Sequence, residues 1–248
     1  MSRCQIFTEE QIALLRIGGK ILHDSLVTVS ALVKEGVTTE ELDQVAEEYI
    51  RDHGGEPGFK GYQGFPATLC TSVNDTCVHG IPGKRVLENG DLISIDCGVL
   101  LRGFYTDACI TLPVGEITAA ARLLMETTEE ALKRAIAVVK EGTRVGDISS
   151  AVQKTAEAKG FHPVRALTGH GVGTHLHQFP DIPNVGEART GATLPAMTVI
   201  AIEPIVSAGS DAIREADDGW GIYVQDHALT AHFEHTVVVR PDGAEVLT

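Results

Sequence analysis

Hydrophobic and polar positions alternate along this chain with two different periods, and the change of period marks its elements. Thr8-Glu9-Glu10-Gln11 and Thr38-Thr39-Glu40-Glu41 each fit a capping box and are followed by apolar residues at helical spacing. Residues 92–100 and 104–112 then read as strands joined by a tight turn around Arg102-Gly103. The order repeats. Residues 118–140 and 145–159 carry the helical period, and strands are expected near 198–206 and 233–240, the latter containing Val237-Val238-Val239. Helices followed by strands, twice over, predict an α+β fold with helices packed on a curved antiparallel sheet.

The recurrence extends to the residues. KEGVTTEELDQVAEEYIRDHGGEP begins at Lys34 and KEGTRVGDISSAVQKTAEAKGFHP at Lys140, each ending in proline, at Pro57 and Pro163. Their apolar helical positions coincide, Leu42 with Ile148 and Ala46 with Val152. A second pair, LENGDLISID from Leu87 and LPAMTVIAIE from Leu194, follows in the same order at nearly the same offset, and each ends in a carboxylate, Asp96 and Glu203. Duplication is the better reading than chance. It predicts a single domain over residues 1–248, with two pseudo-symmetric halves near 1–113 and 114–248.

Composition narrows the class. With 43% hydrophobic and 22% charged residues the chain is of ordinary globular type. No apolar run approaches the roughly 18 residues of a membrane helix, and the N-terminus lacks a secretory pattern. Five cysteines without a C-x-x-C pair argue against a disulfide framework and a thiolate zinc site, and predict a cytoplasmic protein. A net charge of −14 disfavours nucleic-acid or anionic-membrane partners.

That acidity includes carboxylates where strands should be apolar. Asp96 follows Leu92-Ile93-Ser94-Ile95, and Asp107 follows Phe104-Tyr105-Thr106. A hairpin turning symmetrically between residues 101 and 102 would set them face to face, roughly 5 Å apart at Cβ, where like charges destabilise. Such a pair shares a proton, binds a cation or sits on a solvated strand edge. Glu203 repeats the pattern after Val199-Ile200-Ala201-Ile202, and Glu234 heads another strand. Four carboxylates in one site carry four negative charges, too costly to bury uncompensated, and two divalent cations neutralise them. His170, in what reads as a glycine-rich loop, Gly169-His170-Gly171-Val172-Gly173, adds an imidazole, and oxygen-rich ligation with one imidazole suits manganese, iron, cobalt or zinc. Neither H-E-x-x-H nor G-x-S-x-G occurs. His79, before a Gly-x-Pro turn, reads by itself as structural.

At these residues the chain resembles the type I methionine aminopeptidases of the short bacterial kind. The resemblance runs nearly end to end, through SVNDTCVHGIP (72–82), GDLISID (90–96), GFYTDA (103–108), GHGVG (169–173), IEP (202–204) and EHT (234–236). It implies the pita-bread fold, and Asp96, Asp107, His170, Glu203 and Glu234 as ligands of two divalent metal ions. It also implies His79 and His177 as substrate-facing catalytic histidines, Glu203 as proton acceptor, and a methionine pocket lined by Phe59, Tyr62, Phe65, Cys70, Leu176 and Trp220. His175 competes with His177, but the spacing from His170 selects His177. The reaction implied is removal of the N-terminal methionine from nascent chains with a small second residue, by metal-activated water attack on the first peptide bond. Phe59 stands where a small residue is expected and His232 where glutamine is usual, and residues 178–187 also differ. None of these departures is expected to touch a ligand. The rival readings are an X-Pro peptidase of the same fold and a non-catalytic pita-bread module that binds peptides. A monomer is expected, with transient ribosome contact made by the catalytic domain itself.

Overall fold

The computed structural model describes residues 3–248. In chain order the elements are α1 (Glu9–Ser30), α2 (Thr39–Asp52), β1 (Glu56–Pro57), β2 (Leu69–Val73), β3 (Thr76–Val78), β4 (Leu92–Leu101) and β5 (Phe104–Pro113). They continue with α3 (Ala119–Ala137), α4 (Val145–Glu157), β6 (His162–Pro163), β7 (Thr168–Gly171), β8 (Gln178–Pro183), β9 (Val199–Ile202) and β10 (Ile205–Ser207). The last are β11 (Ile213–Glu215), β12 (Ile222–Val224), β13 (Thr230–His232), β14 (Glu234–Val239) and β15 (Ala244–Val246). Both expected capping boxes are present. Thr8 and Thr38 each accept from the backbone N–H three residues on, and Gln11 and Glu41 reach back.

The main sheet is antiparallel, in the order β1-β4-β5-β14-β9-β7-β8, with β2 also on β4 and β15 on β14. The two halves join between β5 and β14. Period-two alternation then decides which face each side chain takes. On β4, Ile93, Ile95, Cys97 and Val99 pack with Leu22 and Leu26 of α1 and Leu42 and Ile50 of α2. In the second half, Ile200, Ile202, Val237 and Val239 pack with α3 and α4 through Leu132, Ile148 and Val152. On β4 the residues between these, Asp96 among them, face the opposite side of the sheet. Each fully buried Ile or Leu contributes about 1.5–3 kcal/mol, so the helical layers hold the acids in place.

Edge pairings recur between the halves. Pro57 pairs with Val99 and Glu56 with Leu100, as Pro163 pairs with Val206 and His162 with Ser207. Val206 follows Val99 by the same spacing that separates Glu203 from Asp96.

Four expectations are corrected. The β4–β5 hairpin is centred between Arg102 and Gly103, whose φ angles are 50° and 86°, as a two-residue type I′ turn requires. Asp96 therefore pairs with Cys109, and Asp107 with Gly98, so the two acids are diagonal neighbours on one face. The strand expected over 198–206 is two strands, β9 and β10, interrupted at Glu203-Pro204, where proline offers no N–H to a ladder. The strand expected from 233 likewise starts at Glu234, with β13 ending at His232. Finally, His170 lies on strand β7 rather than in a loop. Its flanking glycines serve close approach: a Cβ on Gly169 would stand 2.4 Å from the Ala201 carbonyl oxygen.

Candidate metal centre

Five strands bring their polar faces to one cavity of about 190 Å³. β4 supplies Asp96, β5 Asp107, β7 His170 and β14 Glu234, while Glu203 comes from the break after β9. Asp107, Glu234 and His170 are 3%, 2% and 7% exposed, and Asp96 and Glu203 are half-buried at the cavity wall. The two halves are stitched beside them. Thr236 on β14 accepts from the Asp107 backbone N–H and donates to the Asp107 carbonyl, both at 2.8 Å.

The electrostatics are unfavourable as they stand. Among the described residues lining the cavity none is lysine or arginine. Burial, and then the neighbouring acids, push Asp107 and Glu234 well above the usual carboxylate range. Burial and Asp96 do the same to Glu203, and burial raises Asp96 itself. Asp96 Oδ1, Asp107 Oδ1 and Glu234 Oε1 are buried without a hydrogen-bond partner. Orphaned acceptors of this kind are rare unless a cation answers them. His170 is arranged to help. Its Nδ1 lies 3.0 Å from the Gly171 carbonyl, which only accepts, so Nδ1 carries the proton and Nε2 keeps its lone pair. Nε2 points at Glu203 Oε1, 3.5 Å away, and Asp107 Oδ2, 3.8 Å away. Burial, then His177, lowers its pKa to about 3, so the ring is neutral as ligation demands. The donor atoms of Asp107, His170 and Glu234 converge, as do those of Glu203, His232 and Glu234. Four carboxylates and neutral imidazole fit divalent cations.

The two expected substrate-facing histidines line the same cavity. His79 follows β3 in a left-handed conformation, φ 59°, and burial followed by His177 lowers its pKa to about 4. The His177 ring stands edge-on to His170 with centroids 4.3 Å apart. His175 does not line the cavity. It is exposed, beside Thr174.

The apolar end is built by Phe59, Phe65, Cys70 and Leu176, all buried, with Tyr62 and Trp220 packed against them. Phe65 meets Trp220 edge-to-face at 5.0 Å. Cys70 on β2 pairs with Asp96 on β4, which couples this wall to the acids. The structure thus brings every expected site residue to one cavity. It also corrects the reading of His232, expected to touch no ligand: its Nε2 is 3.6 Å from Glu203 Oε2 and 3.7 Å from Glu234 Oε2. The signal was in the chain. Residues 232 and 234 are spaced as neighbours on one strand face.

Known proteins resemble this chain along nearly its whole length. The profile of metallopeptidase family M24 matches residues 13–241. A methionine aminopeptidase from Clostridium perfringens is 46% identical over 240 residues, covering 97% of this chain and 96% of that protein. The crystal structure of a methionine aminopeptidase from Thermotoga maritima superposes with a TM-score of 0.98 at 38% identity, covering 99% of both chains. An X-Pro aminopeptidase from the same organism reaches a TM-score of 0.75 at 22% identity over 98% of this chain and 61% of that one, which shows a shared fold alone. The fold is the pita-bread type that the resemblance implied, and it agrees with the duplicated order of helices and strands. With the profile spanning most of its length and such relatives matched end to end, the chain belongs to metallopeptidase family M24, among its methionine aminopeptidases.

Proposed function

We propose that this chain removes the N-terminal methionine from peptides with a small second residue, and that Asp96, Asp107, His170, Glu203 and Glu234 hold two divalent ions for the purpose. One observation carries the reading: four inward-facing carboxylates converge, without a lysine or arginine, at the end of an aromatic-walled apolar cavity. Two such ions would match the four negative charges. When bound, divalent ions in such a site lower the pKa of water and polarise a carbonyl.

The chain's own groups supply the rest. The Phe59–Phe65–Trp220 wall packs a flexible thioether, since sulfur is favoured against aromatic rings. That seats the first peptide bond over the acids. Glu203, half-buried and 3.5 Å from the neutral His170, is placed to take a proton from water and return it to the leaving amine. His177 donates to the oxyanion that develops at the carbonyl, and His79 bonds the scissile amide.

We place this activity in the cytosol, in a monomer acting on nascent N-termini. Among the described residues no helix is long and apolar enough to cross a membrane. A net charge of −14 disfavours direct nucleic-acid binding, and a transient ribosome contact would use the catalytic domain's own surface.

The test is methionine release from Met-Ala-Ser against cleavage of an Ala-Pro dipeptide. Chelator-treated protein is titrated with manganese, iron, cobalt and zinc. Release from Met-Ala-Ser alone, restored by metal and abolished in Asp96→Asn and Glu234→Gln, is expected. Preferred cleavage of Ala-Pro, or full activity in either variant, overturns the proposal.

A further inference from the structure

His232 ends β13 and is 1% exposed, yet neither ring nitrogen has a hydrogen-bond partner. A buried polar group left unpaired costs stability, so such a ring needs an explanation. Its Nε2 faces the oxygens of Glu203 and Glu234 at 3.6 and 3.7 Å, beyond hydrogen-bond length. Donor atoms each about 2.1 Å from one ion lie about 3.4 Å apart at the tetrahedral angle and somewhat farther as the angle opens. The two observed separations, 3.6 and 3.7 Å, fit donors around a shared cation.

The symmetry of the strands supports the same reading. Asp96 and Glu203 hold equivalent places in the two halves, given the recurring pairings of Pro57 with Val99 and Pro163 with Val206. On the first half's strand pair, Gly98 faces Asp107. The equivalent of Gly98 is Ile205, and it faces His232. His232 therefore occupies in the second half the position that Asp107 occupies in the first. Asp107, His170 and Glu234 form one converging trio and Glu203, His232 and Glu234 a second, sharing Glu234, with Glu203 Oε1 also 3.5 Å from His170 Nε2.

We propose that His232 is a direct metal ligand through Nε2, completing a second trio with Glu203 and Glu234 and giving the centre two imidazoles. This rests on the proposed metal role of those two acids. Imidazole favours zinc, iron and cobalt over manganese and magnesium, so His232 biases the site toward the softer ions.

The test is X-ray absorption on the full chain loaded with two zinc ions, with binding calorimetry of zinc and manganese. An average of one imidazole per zinc is expected in the wild type, falling to one for every two zinc ions in His232→Gln. Zinc affinity should fall at least about tenfold in the variant, with manganese affinity changing far less. One imidazole for every two zinc ions in the wild type overturns the proposal and leaves His232 a positioning residue. If His232→Gln fails to fold, the wild-type count alone decides. Failure of the wild type to take up any zinc would instead overturn the metal reading of Glu203 and Glu234.

Discussion

The Tyr62 hydroxyl lies 3.1 Å from Nδ1 of His177, with the two rings edge-on at 5.3 Å. For His177 to donate from Nε2 toward a developing oxyanion, Nδ1 must accept, so the phenol is the donor and selects the tautomer. Tyr62→Phe removes that selection and leaves the ring's packing. The expected outcome is a fall in kcat on Met-Ala-Ser of about ten- to a hundredfold, with KM changed less than threefold on that order-of-magnitude scale. An unchanged kcat would show that His177 needs no such partner.

Phe59 lies over Gly98, where an added Cβ would come within 2.6 Å of the ring's Cε1 and meets nothing else as near. Gly98→Ala should push the ring into the apolar cavity and raise KM for methionyl peptides. Combining it with Phe59→Cys should restore much of the loss, because the obstacle is the ring. Steady-state kinetics of both single variants and the double variant measure this coupling, and simple additivity would refute it.

Removing metal should invert the pH dependence of stability. Without a cation the four carboxylates have folded-state pKa values raised above their unfolded values, with Asp96 pushed up to about 7, chiefly by burial. Below about pH 4 the acids are protonated folded or unfolded, and no penalty arises. As pH rises, the unfolded chain releases protons that the folded chain retains, so stability falls, for Asp96 until about pH 7. The four acids together outweigh His79, His170 and His232, whose lowered pKa values favour the higher pH, so chelated protein should melt lower at pH 7 than at pH 5, and saturating zinc should remove most of the difference. Denaturation scans at the two pH values, with and without zinc, decide it.

Asp43 on α2 accepts from the backbone N–H groups of Thr68 and Leu69, at 2.9 and 2.7 Å, just where β2 begins and Cys70 follows. Asp43→Ala orphans both donors and should cost about 1–3 kcal/mol. Asp43→Asn keeps an acceptor and should cost less. Urea titrations compare them, and equal losses would show that the bonds contribute little.

Much of this was legible in the chain. Capping at Thr8 and Thr38, the alternation through Ile93, Ile95 and Cys97, and the misplaced acids Asp96, Asp107, Glu203 and Glu234 all depend on interactions within a few residues. The sequence carries these directly. Placement of the acids near one another also followed, because the repeat tied Asp96 to Glu203.

What the sequence by itself determined, then, was the kind of chemistry: carboxylates on strand faces turned from the helices, too many to leave uncompensated. Only the tertiary structure decided how they meet. The positive φ of Arg102 shifts the hairpin centre by one residue and sets Asp107 diagonal to Asp96. The missing N–H of Pro204 breaks the strand at Glu203, opposite the break that separates His232 from Glu234. Pairing of β10 with β13 and of β9 with β14 then carries the His232 ring to the two glutamates, and joining the halves between β5 and β14 brings them to Asp107. Register, breaks and long-range closure are set by backbone geometry and by contacts far apart in the chain, which no local pattern of residues encodes.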